Sequence, residues 1–508
     1  MVFLNQSSLF ALLPFLVFLV FLVKWFYGTN STTNKNHPPS PPKLPFIGNL
    51  HQLGTYPYRS LAALARKHGP LMLLHLGSQP MLVVSSADAA REIMKTHDLI
   101  FSNRPKTSIP ARLVYDGKDI AFAPYGEYWR QIRSLSMLHL LSNRRVQSYR
   151  SIREEETALM IQSIRQFCSS SLLVNLSEKF RLLTNDVVCR IALGKKYGAG
   201  EGGRKFKKLL GELTELLGVF EVGDYIPWLA WVKFLNGLDA KVGRVAKEFD
   251  EFLEGVVEEH LDQKKSGGKV KIERQDFVDV LLDIQDESKE SDFNLHEDSI
   301  KALIMDMFAA GTDTTSTILE WAMARLLRHP EVMKKLQNEV REVAQGRREI
   351  TEDDLEKMHY LKAVIKETLR LHPPAPLLVP HESTHDVKVM GYDIAARTQV
   401  FINAWAIGRD PLWWKEPEMF QPERFLNSHV DFRGFHFELI PFGAGRRGCP
   451  GISFGIAVNE LALANVICNF DLALPNGEKA EDLDMTEVAG LTVHKKSPIV
   501  VVVTPHCR

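Results

Sequence analysis

One short loop constrains this chain more than any other stretch. It runs from Pro441 to Gly451 and reads Pro-Phe-Gly-Ala-Gly-Arg-Arg-Gly-Cys-Pro-Gly, with a long helical pattern directly after it. A cysteine near a helix N-terminus and beside two arginines is predicted to have a lowered pKa, so Cys449 is expected to be a thiolate. The glycines let the backbone turn sharply and lie against a flat object. The loop therefore predicts a metal-binding thiolate, the alternative being a buried cysteine in a glycine-rich turn.

The spacing within this loop is that of a known cofactor site. Its pattern is Phe-x-x-Gly-x-Arg-x-Cys-x-Gly, formed by Phe442, Gly445, Arg447, Cys449 and Gly451. This pattern resembles the haem-binding loop of the cytochrome P450 family. The resemblance implies a haem b cofactor whose iron has the Cys449 thiolate as its axial ligand. Gly443, in the same glycine-rich backbone, is assigned to cofactor binding with the others.

Three further residues, Trp129, Arg133 and His381, are compared with haem contacts of the same family. A helical pattern opens at Tyr128, in which Trp129 and Arg133 lie four residues apart and share one face. Taken alone this is an ordinary surface pair, but it is similar to the family's Trp-Arg-x-x-Arg motif, which implies contacts to a haem propionate. His381 stands where similar members often carry an arginine. Its propionate contact is left open, because an imidazole gives a weaker and pH-dependent bond.

The longest helical pattern runs from Asp298 to His329, which is about 48 Å at 1.5 Å per residue. Its middle, residues 309–317, is rich in threonine, whose hydroxyls can divert backbone hydrogen bonds. One interpretation is a threonine cluster that bonds back to its own carbonyls. The other is the oxygen-activation groove of the family, which Ala-Gly-x-Asp-Thr-Thr resembles. That resemblance implies space over the haem at Ala310 and a proton relay through Asp313 and Thr314.

A third set of residues predicts structure rather than chemistry. Glu367 and Arg370 lie three residues apart on a helix predicted over residues 360–372, and an isolated pair of this kind contributes little to stability. With Arg424 they resemble the buried Glu-Arg-Arg network of the family, whose role is architectural. Loss of one partner from such a network costs about 3 to 5 kcal/mol.

Helical patterns dominate the rest of the chain, and short strand patterns form a minor part. Strands are predicted over residues 71–76, 81–85, 387–394, 398–405 and 499–504. The fold class is thus mainly α with a smaller β region (α+β), which the resemblance narrows to the cytochrome P450 fold. With 508 residues and no internal repeat, the chain is predicted to form a single large catalytic domain over residues 51–508.

The first residues differ in kind from the rest. An apolar run from Leu9 to Val23 is followed by Lys24 and three aromatic residues. No basic segment precedes the run and no small-residue cleavage site follows it, which favours an uncleaved transmembrane anchor over residues 1–27 rather than a signal peptide. Residues 28–50 then read as a polar linker and a proline-rich hinge. The downstream lysines place the catalytic domain in the cytosol, and the resemblance implies a single-pass protein of the endoplasmic reticulum membrane.

Composition excludes other classes of protein. The 62 basic and 62 acidic residues balance, so nothing predicts nucleic-acid binding. The five cysteines lack paired close spacing, which argues against a disulfide scaffold or a zinc site. No Gly-x-Gly-x-x-Gly follows a strand, so electrons must come from a partner. Arg446 predicts a docking face for an acidic redox protein, which the resemblance identifies as an NADPH–haemoprotein reductase, with cytochrome b5 as a second candidate.

The resemblance is strongest for plant microsomal members that serve specialised metabolism. It implies a monooxygenase that uses O2 to hydroxylate or epoxidise a small hydrophobic substrate, a terpenoid or a phenolic being favoured. Two alternatives stay open: an isomerase or dehydratase that needs no O2, and a non-catalytic membrane scaffold with this fold. The presence of Asp313 and Thr314 argues against both.

Overall fold

Helices form most of the structure, a computed structural model that describes residues 14, 16–21, 35–168, 173–197, 200–266, 275–288 and 295–506. The helices are α1 (Pro57–His68), α2 (Ala87–Arg91), α3 (Ser108–Leu113), α4 (Glu127–Leu135), α5 (Asn143–Ser148), α6 (Arg150–Cys168), α7 (Leu176–Leu193), α8 (Gly200–Leu217), α9 (Val222–Tyr225), α10 (Val232–Leu235), α11 (Leu238–Lys265), α12 (Phe277–Ser288), α13 (Glu297–Arg328), α14 (Pro330–Ala344), α15 (Glu352–Leu355), α16 (His359–Leu371), α17 (Ala404–Ile407) and α18 (Ile452–Asn469). The predicted class, mainly α with a smaller β region, is confirmed.

The strands are short and form small sheets. They are β1 (Leu71–Leu76), β2 (Gln79–Val84), β3 (Val174–Asn175), β4 (His381–Glu382), β5 (Val387–Val389), β6 (Tyr392–Ile394), β7 (Gln399–Ile402), β8 (Phe470–Ala473), β9 (Glu487–Val488), β10 (His494–Lys495) and β11 (Val500–Pro505). The largest sheet has the order β1-β2-β7-β4, in which only the β2–β7 pair is parallel. The other sheets are β3-β11-β8, β5-β6 and β9-β10.

The first hairpin is tighter than its pattern predicted. β1 has the predicted bounds, but β2 begins at Gln79 rather than at Met81. Gly77 has a φ of 58°, which closes the turn in two residues instead of four. Pro80 is tolerated inside β2 because β7 pairs with β2 only from Met81 onward, so no backbone N–H is needed there for β7.

Two of the predicted strands are wrong in form. Residues 387–394 make the hairpin β5–β6, because Met390 and Gly391 both have positive φ, at 50° and 84°, and form a tight turn. Residues 398–405 contain β7 followed by the start of α17. That helix begins because the Asn403 side chain accepts the N–H of Ala406 at 3.0 Å and caps the first turn.

Helix α13 is the central element, and its predicted bounds are confirmed to within one residue. It is buried on all sides because it packs against α7, α16 and α18. Its threonine-rich middle stays helical. The Thr317 hydroxyl donates to the Asp313 carbonyl at 2.8 Å, and the Thr314 hydroxyl donates to the Ala310 carbonyl at 2.5 Å. The back-bonding predicted as one of the two interpretations is therefore present.

Most of the predicted anchor and part of the linker lie outside the described residues. Of residues 1–27, residues 14 and 16–21 are described, and they are helical and exposed. Within the described ranges, α18 is the one helix long and apolar enough to cross a membrane, and 67% of it is buried inside the protein. The proline-rich segment lies against the body of the protein, since the Pro39 carbonyl accepts the N–H of Leu73 at 2.9 Å.

Candidate active site

The cysteine loop is held in a conformation that needs its glycines. Gly443 and Gly445 have φ values of 70° and 64°, in the left-handed region that other residues rarely adopt. A side chain at Gly445 would also collide with the Met94 carbonyl oxygen, so the loop lies tightly on the π-helical turn that follows α2. The Cys449 N–H donates to the Phe442 carbonyl at 2.9 Å. The loop thus holds the cysteine just ahead of the start of α18.

The two arginines of the loop do not face the Cys449 sulfur, which corrects the sequence-based expectation. Arg446 forms an ion pair with Asp98 at 3.0 Å, and Arg447 extends away from the sulfur. Burial raises the pKa of the Cys449 thiol, while Arg133 on α4 and a backbone N–H oppose that rise. The predicted lowered pKa is therefore wrong for the protein alone. A thiolate here needs a positive partner at the sulfur, which is the role of a metal ion.

A cavity separates the cysteine loop from α13. On the loop side it is lined by Phe442, Cys449, Pro450, Gly451 and Phe454; on the α13 side by Leu303, Met307, Ala310, Gly311, Thr314 and Ile318. The lining is mostly apolar, and the thiol is on the wall opposite the small residues of the helix. This arrangement fits a flat, apolar cofactor whose iron is bound by Cys449.

The small residues of α13 are needed for two separate reasons. Ala310 and Thr314, one turn apart, line the cavity directly. Gly311 also lines it, but a side chain there would come within 3.1 Å of Val188 on α7. Gly311 is therefore required for the packing of α13 on α7, in addition to any space that it leaves for a cofactor.

Three arginines lie at one edge of this cavity, and we call Arg104, Arg133 and Arg447 the rim cluster; Arg104 and Arg447 are buried and Arg133 is half-buried. Arg447 donates to the carbonyls of Ser102 at 2.7 Å and Ala123 at 2.6 Å. Its guanidinium stacks 4.0 Å from the Trp129 ring. Sequence analysis found Arg133 and Arg447 but missed Arg104, because no family motif and no helical spacing involves it.

The hydrogen bonds of the rim cluster go to backbone carbonyls rather than to carboxylates. Arg104 donates to the carbonyls of Val379 and Pro380, both at 2.7 Å. Arg133 Nη2 donates to the Gly448 carbonyl at 2.6 Å, which places the arginine directly beside the cysteine loop. The Trp129 indole N–H donates to the Ile120 carbonyl at 3.1 Å. The predicted pair Trp129 and Arg133 therefore lies at the cavity edge, as the shared helix face required.

Positive charge at the rim exceeds negative charge. Burial lowers the pKa of Arg447 to about 9 and lowers that of Arg133, and burial together with the neighbouring Arg447 holds the pKa of Arg104 well below its usual range. The carboxylate beside them is Asp119, whose pKa burial raises to about 6. Buried cations with so little compensation favour an anionic ligand. The two propionates of a haem are such anions, so the rim fits the cofactor.

His381 lies within this edge but is neutral. Its side chain is buried, and its Nδ1 is 2.8 Å from the Phe101 carbonyl, to which it donates. Burial and the nearby Arg104 hold the pKa of His381 well below its usual range. The propionate contact that the sequence left open stays a prediction, and Nε2 is the ring atom with which His381 could make it.

Asp313 and Thr314 face different cavities. Thr314 lines the cavity at Cys449, whereas Asp313 lines a second cavity on the other side of α13. His494 Nε2 lies 3.1 Å from Asp313 Oδ2, and His494 Nδ1 lies 2.8 Å from the Thr317 hydroxyl. Sequence reasoning did not identify His494, because it is 181 residues from Asp313 in the chain.

The predicted Glu-Arg-Arg network is present and complete, and we call it the Glu367 network. Arg370 donates through Nε and Nη2 to both oxygens of Glu367, each at 2.7 Å. Arg424 Nε donates to the same carboxylate at 3.1 Å. The remaining Arg370 hydrogen bonds reach the carbonyls of Gly408, Pro417 and Met419, which ties α16 to the segment that follows α17.

Comparison with known proteins agrees with this geometry. The family model named cytochrome P450 matches residues 38–502. Cytochrome P450 736A117 of Prunus mume is 61% identical over 487 residues, which cover 95% of this chain and 93% of that protein. Norfluorocurarine oxidase of Strychnos sp is 57% identical with 99% of both chains covered, and 3-beta-hydroxylase of Tanacetum parthenium is 53% identical with 99% and 98% covered. A solved structure of zebra fish cytochrome P450 with progesterone has a TM-score of 0.74 at 27% identity, covering 89% of this chain and 99% of that one.

Proposed function

Since this chain belongs to the cytochrome P450 family of haem-thiolate monooxygenases, we propose that it hydroxylates or epoxidises a small hydrophobic plant metabolite at the endoplasmic reticulum membrane. The observation that carries the proposal is the apolar cavity with Cys449 on one wall and Thr314 on the other. When bound there, a haem with a thiolate ligand supplies the activation of O2. The full-length relatives include an oxidase and a hydroxylase from plants, which supports a role in specialised metabolism. A terpenoid or a phenolic substrate fits the apolar lining.

The residues of this chain have distinct roles in the proposed reaction. Cys449 would bind the iron, and Trp129, Arg133 and Arg447 would hold the propionates. The apolar side chains of the cavity exclude water and hold a hydrophobic substrate against Ala310. The Thr314 hydroxyl, which donates to the Ala310 carbonyl at 2.5 Å, is the group on this face of α13 that would pass a proton into the cavity through Oγ1.

We propose that protons reach Thr314 from the second cavity through Asp313 and His494. The Thr317 hydroxyl donates to the Asp313 carbonyl, so it accepts from His494 Nδ1, while Nε2 donates to the Asp313 carboxylate. Both ring nitrogens then carry hydrogen. The ring is then positively charged. Burial opposes this positive charge, but Asp313 raises the pKa of His494 above its usual value. Within the described ranges, the buried Thr312 hydroxyl and Asn185 carbonyl in the same cavity have no protein partner, which suits water molecules.

A membrane position is supported by two groups of exposed apolar side chains. The described part of the predicted anchor, residues 16–21, is helical and fully apolar. A second group lies around α9 and α10 and consists of Phe46, Trp228, Trp231, Phe234 and Leu235. The Phe46 and Trp228 rings are in contact, at 6.5 Å between centroids, so Phe46 belongs to the same surface as the residues around α9 and α10. We propose that residues 1–27 span the membrane once, with the catalytic domain on the cytosolic side.

Electrons are proposed to come from NADPH through a membrane-bound reductase. Exposed Arg130 and Arg144 lie on the helices next to the cysteine loop: Arg133 of α4 contacts Gly448, and Asn143 of α5 contacts Ser453 at 2.9 Å. Arg446 is half-exposed beside them although it is paired with Asp98. These cations form a docking face for an acidic partner. A reductase flavin domain fits this face, and cytochrome b5 is a second acidic candidate.

The proposal is tested by spectroscopy of the purified full-length protein. The reduced protein with carbon monoxide should show the red-shifted Soret band of thiolate-ligated haem, and Cys449→Ser should lose it. Cys468→Ser, which changes a buried cysteine far from the loop, is the matched control and should keep the band. A wild-type spectrum without the band would refute haem-thiolate chemistry. A panel of plant terpenoids and phenolics, screened for Soret shifts, then identifies substrates.

The proton route is tested with two substitutions. Thr314→Ala should lower product and raise peroxide release at unchanged NADPH use. Because the folded-state pKa of His494 is raised, its proton is present below pH about 6.5 and is lost as pH rises through the raised value. Product formed per NADPH should therefore fall with rising pH in the wild type and vary less in His494→Gln. The other charged groups that line this cavity are unchanged in both proteins; they are Glu178, Arg181, Arg204, Lys207, Glu320 and Lys495. Equal pH profiles would remove His494 from the route.

A further inference from the structure

Asp306 is an acidic side chain on the wall of the cavity that contains Cys449. It lies on α13 one turn before Ala310 and two turns before Thr314, so the three residues share one face of the helix. Two turns correspond to about 12 Å along the helix axis. Neither the sequence motifs nor the reaction proposed above uses this carboxyl group.

Of the other polar side chains of the cavity, Ser136 and Thr314 are engaged within the protein, and Thr315 lies more than two turns further along α13. The Ser136 hydroxyl donates to the Ile132 carbonyl at 2.8 Å, and the Thr314 hydroxyl donates to the Ala310 carbonyl. The remaining wall around Asp306 is apolar and includes Leu303, Met307 and Ala121. A polar group of a ligand in this part of the cavity therefore has Asp306 as its available side-chain partner.

Asp306 is held in place through one of its two oxygens. Its Oδ2 accepts the N–H of Ile120 at 2.7 Å. The Ile120 carbonyl in turn accepts from Trp129 at 3.1 Å and from Arg447 at 3.2 Å, so the backbone of Ile120 is held at both its N–H and its carbonyl. In the part of the chain that the structure describes, no protein group is hydrogen-bonded to Oδ1 of Asp306. The carboxyl is thus oriented by the loop and has one oxygen left for a ligand.

The surroundings of Asp306 favour its neutral form. Burial, followed by the nearby Asp119, raises the pKa of Asp306 well above its usual range. Asp119 itself is completely buried, and its Oδ1 has no partner among the described residues. A protonated carboxyl in an apolar site is a hydrogen-bond donor. Ionising it to bind a cationic amine would add a second negative charge next to Asp119.

We propose that Asp306 is the polar anchor of the substrate and donates a hydrogen bond to a carbonyl or lactone oxygen of the molecule that is oxidised. This inference rests on the monooxygenase function proposed above and narrows its substrate class. The substrate is an oxygenated molecule rather than a bare hydrocarbon. Its acceptor oxygen lies about one to two helical turns from the carbon held at Ala310 and Thr314. Asp306 is therefore a specificity-determining residue.

The test uses probes that bind by their own iron-ligating nitrogen. The probes are phenylimidazoles that carry either an acetyl or an isopropenyl group at the meta or para position. The two groups have nearly the same shape. Only acetyl accepts a hydrogen bond. Titration of the full-length holoenzyme, followed by the Soret shift, gives each dissociation constant. In the wild type we expect the acetyl probe to bind about five- to tenfold more tightly than its isopropenyl partner at one position, as for one hydrogen bond in an apolar site.

Three variants separate recognition from structure. Asp306→Asn keeps an oxygen for the Ile120 N–H and an N–H donor for the probe, so the acetyl preference should survive. Asp306→Leu removes both and should abolish the preference. Met307→Leu is the matched control, since it alters the neighbouring wall without removing a donor, and it should shift both probes equally. The carbon monoxide spectrum of each variant confirms an intact haem site.

Three outcomes overturn the inference. One is equal binding of the acetyl and isopropenyl probes to the wild type at both positions. Another is an acetyl preference that persists in Asp306→Leu. A third is tighter binding of a dimethylaminomethyl probe than of the acetyl probe, which would assign the site to cations instead. A wild-type protein without the red-shifted carbon monoxide band would refute the proposed function itself, so the two failures are distinguishable.

Discussion

The protein buries arginine in two places, and the two differ in how the charge is compensated. In the Glu367 network, one fully buried carboxylate accepts hydrogen bonds from Arg370 and Arg424, and the remaining N–H groups of Arg370 reach carbonyls. In the rim cluster, Arg104 and Arg447 interact with the carboxylate of Asp119, whose own pKa is raised to about 6, whereas Arg133 interacts with Cys449. Arginines outnumber carboxylates in both clusters, but in the Glu367 network the carboxylate accepts hydrogen bonds directly from both arginines, whereas the rim arginines donate to backbone carbonyls.

This difference separates an architectural cluster from a binding one. A buried network in which a carboxylate accepts hydrogen bonds from the cations needs no ligand, and removal of one member leaves the other charges uncompensated. A cluster with excess cations is stabilised when an anion enters it. The rim cluster borders the cavity at Cys449, so the entering anion is the cofactor of a haem protein. Three substitutions test this distinction, from the largest expected effect to the smallest.

Glu367→Gln should have the largest effect. It leaves the guanidinium groups of Arg370 and Arg424 buried without their carboxylate, which should lower the free energy of unfolding by about 3 to 5 kcal/mol. Urea unfolding followed by circular dichroism measures this loss. The control Glu251→Gln, from an exposed pair with Lys247, should change stability by less than about 0.5 kcal/mol. A loss for Glu367→Gln as small as that of the control would show that the network is not architectural.

Arg133→Met should affect the cofactor more than the fold. It removes one cation of the rim cluster and one hydrogen bond, to the Gly448 carbonyl. The rate of haem transfer to apomyoglobin should rise about tenfold, which corresponds to about 1.4 kcal/mol. Unfolding of the protein backbone should change by only about 1 kcal/mol. If haem transfer were unchanged while stability fell, the rim cluster would be architectural like the Glu367 network.

His381→Gln should have the smallest effect, and its pH dependence tests whether His381 belongs to the anion site. Because the folded-state pKa of His381 is depressed, its contribution is present above the unfolded value near 6.5 and is lost as pH falls below it. At pH 6 the wild type should lose about 0.8 kcal/mol relative to the variant, in which glutamine can still donate to the Phe101 carbonyl. Unfolding of the holoprotein across pH 5 to 8 measures this. The opposite sign would show that a propionate contacts the imidazole and raises its pKa.

Local spacing was sufficient wherever the interacting residues are close in the chain. The cysteine loop, the bounds of α13, the pair Trp129 and Arg133, and the contact of Glu367 with Arg370 all follow from spacing within one loop or helix. The predictions for the first hairpin and for the β5–β6 hairpin were less accurate, because the turns of these hairpins depend on positive φ at Gly77, Met390 and Gly391. Met390 in particular gives no sign of such a conformation in the sequence.

The sequence by itself determined the family, the cysteine that we propose binds the iron, and the helix that faces it, because these depend on residue types at short and fixed spacing. Only the tertiary structure decided what surrounds each group. Asp313 and Thr314 are neighbours in the chain, yet successive helix residues point about 100° apart, so they face different cavities. Arg104 and Asp306 join the site through loops that are distant in sequence. The electrostatic environment of Cys449 likewise depends on burial and on Arg133 of another helix rather than on its neighbour Arg446.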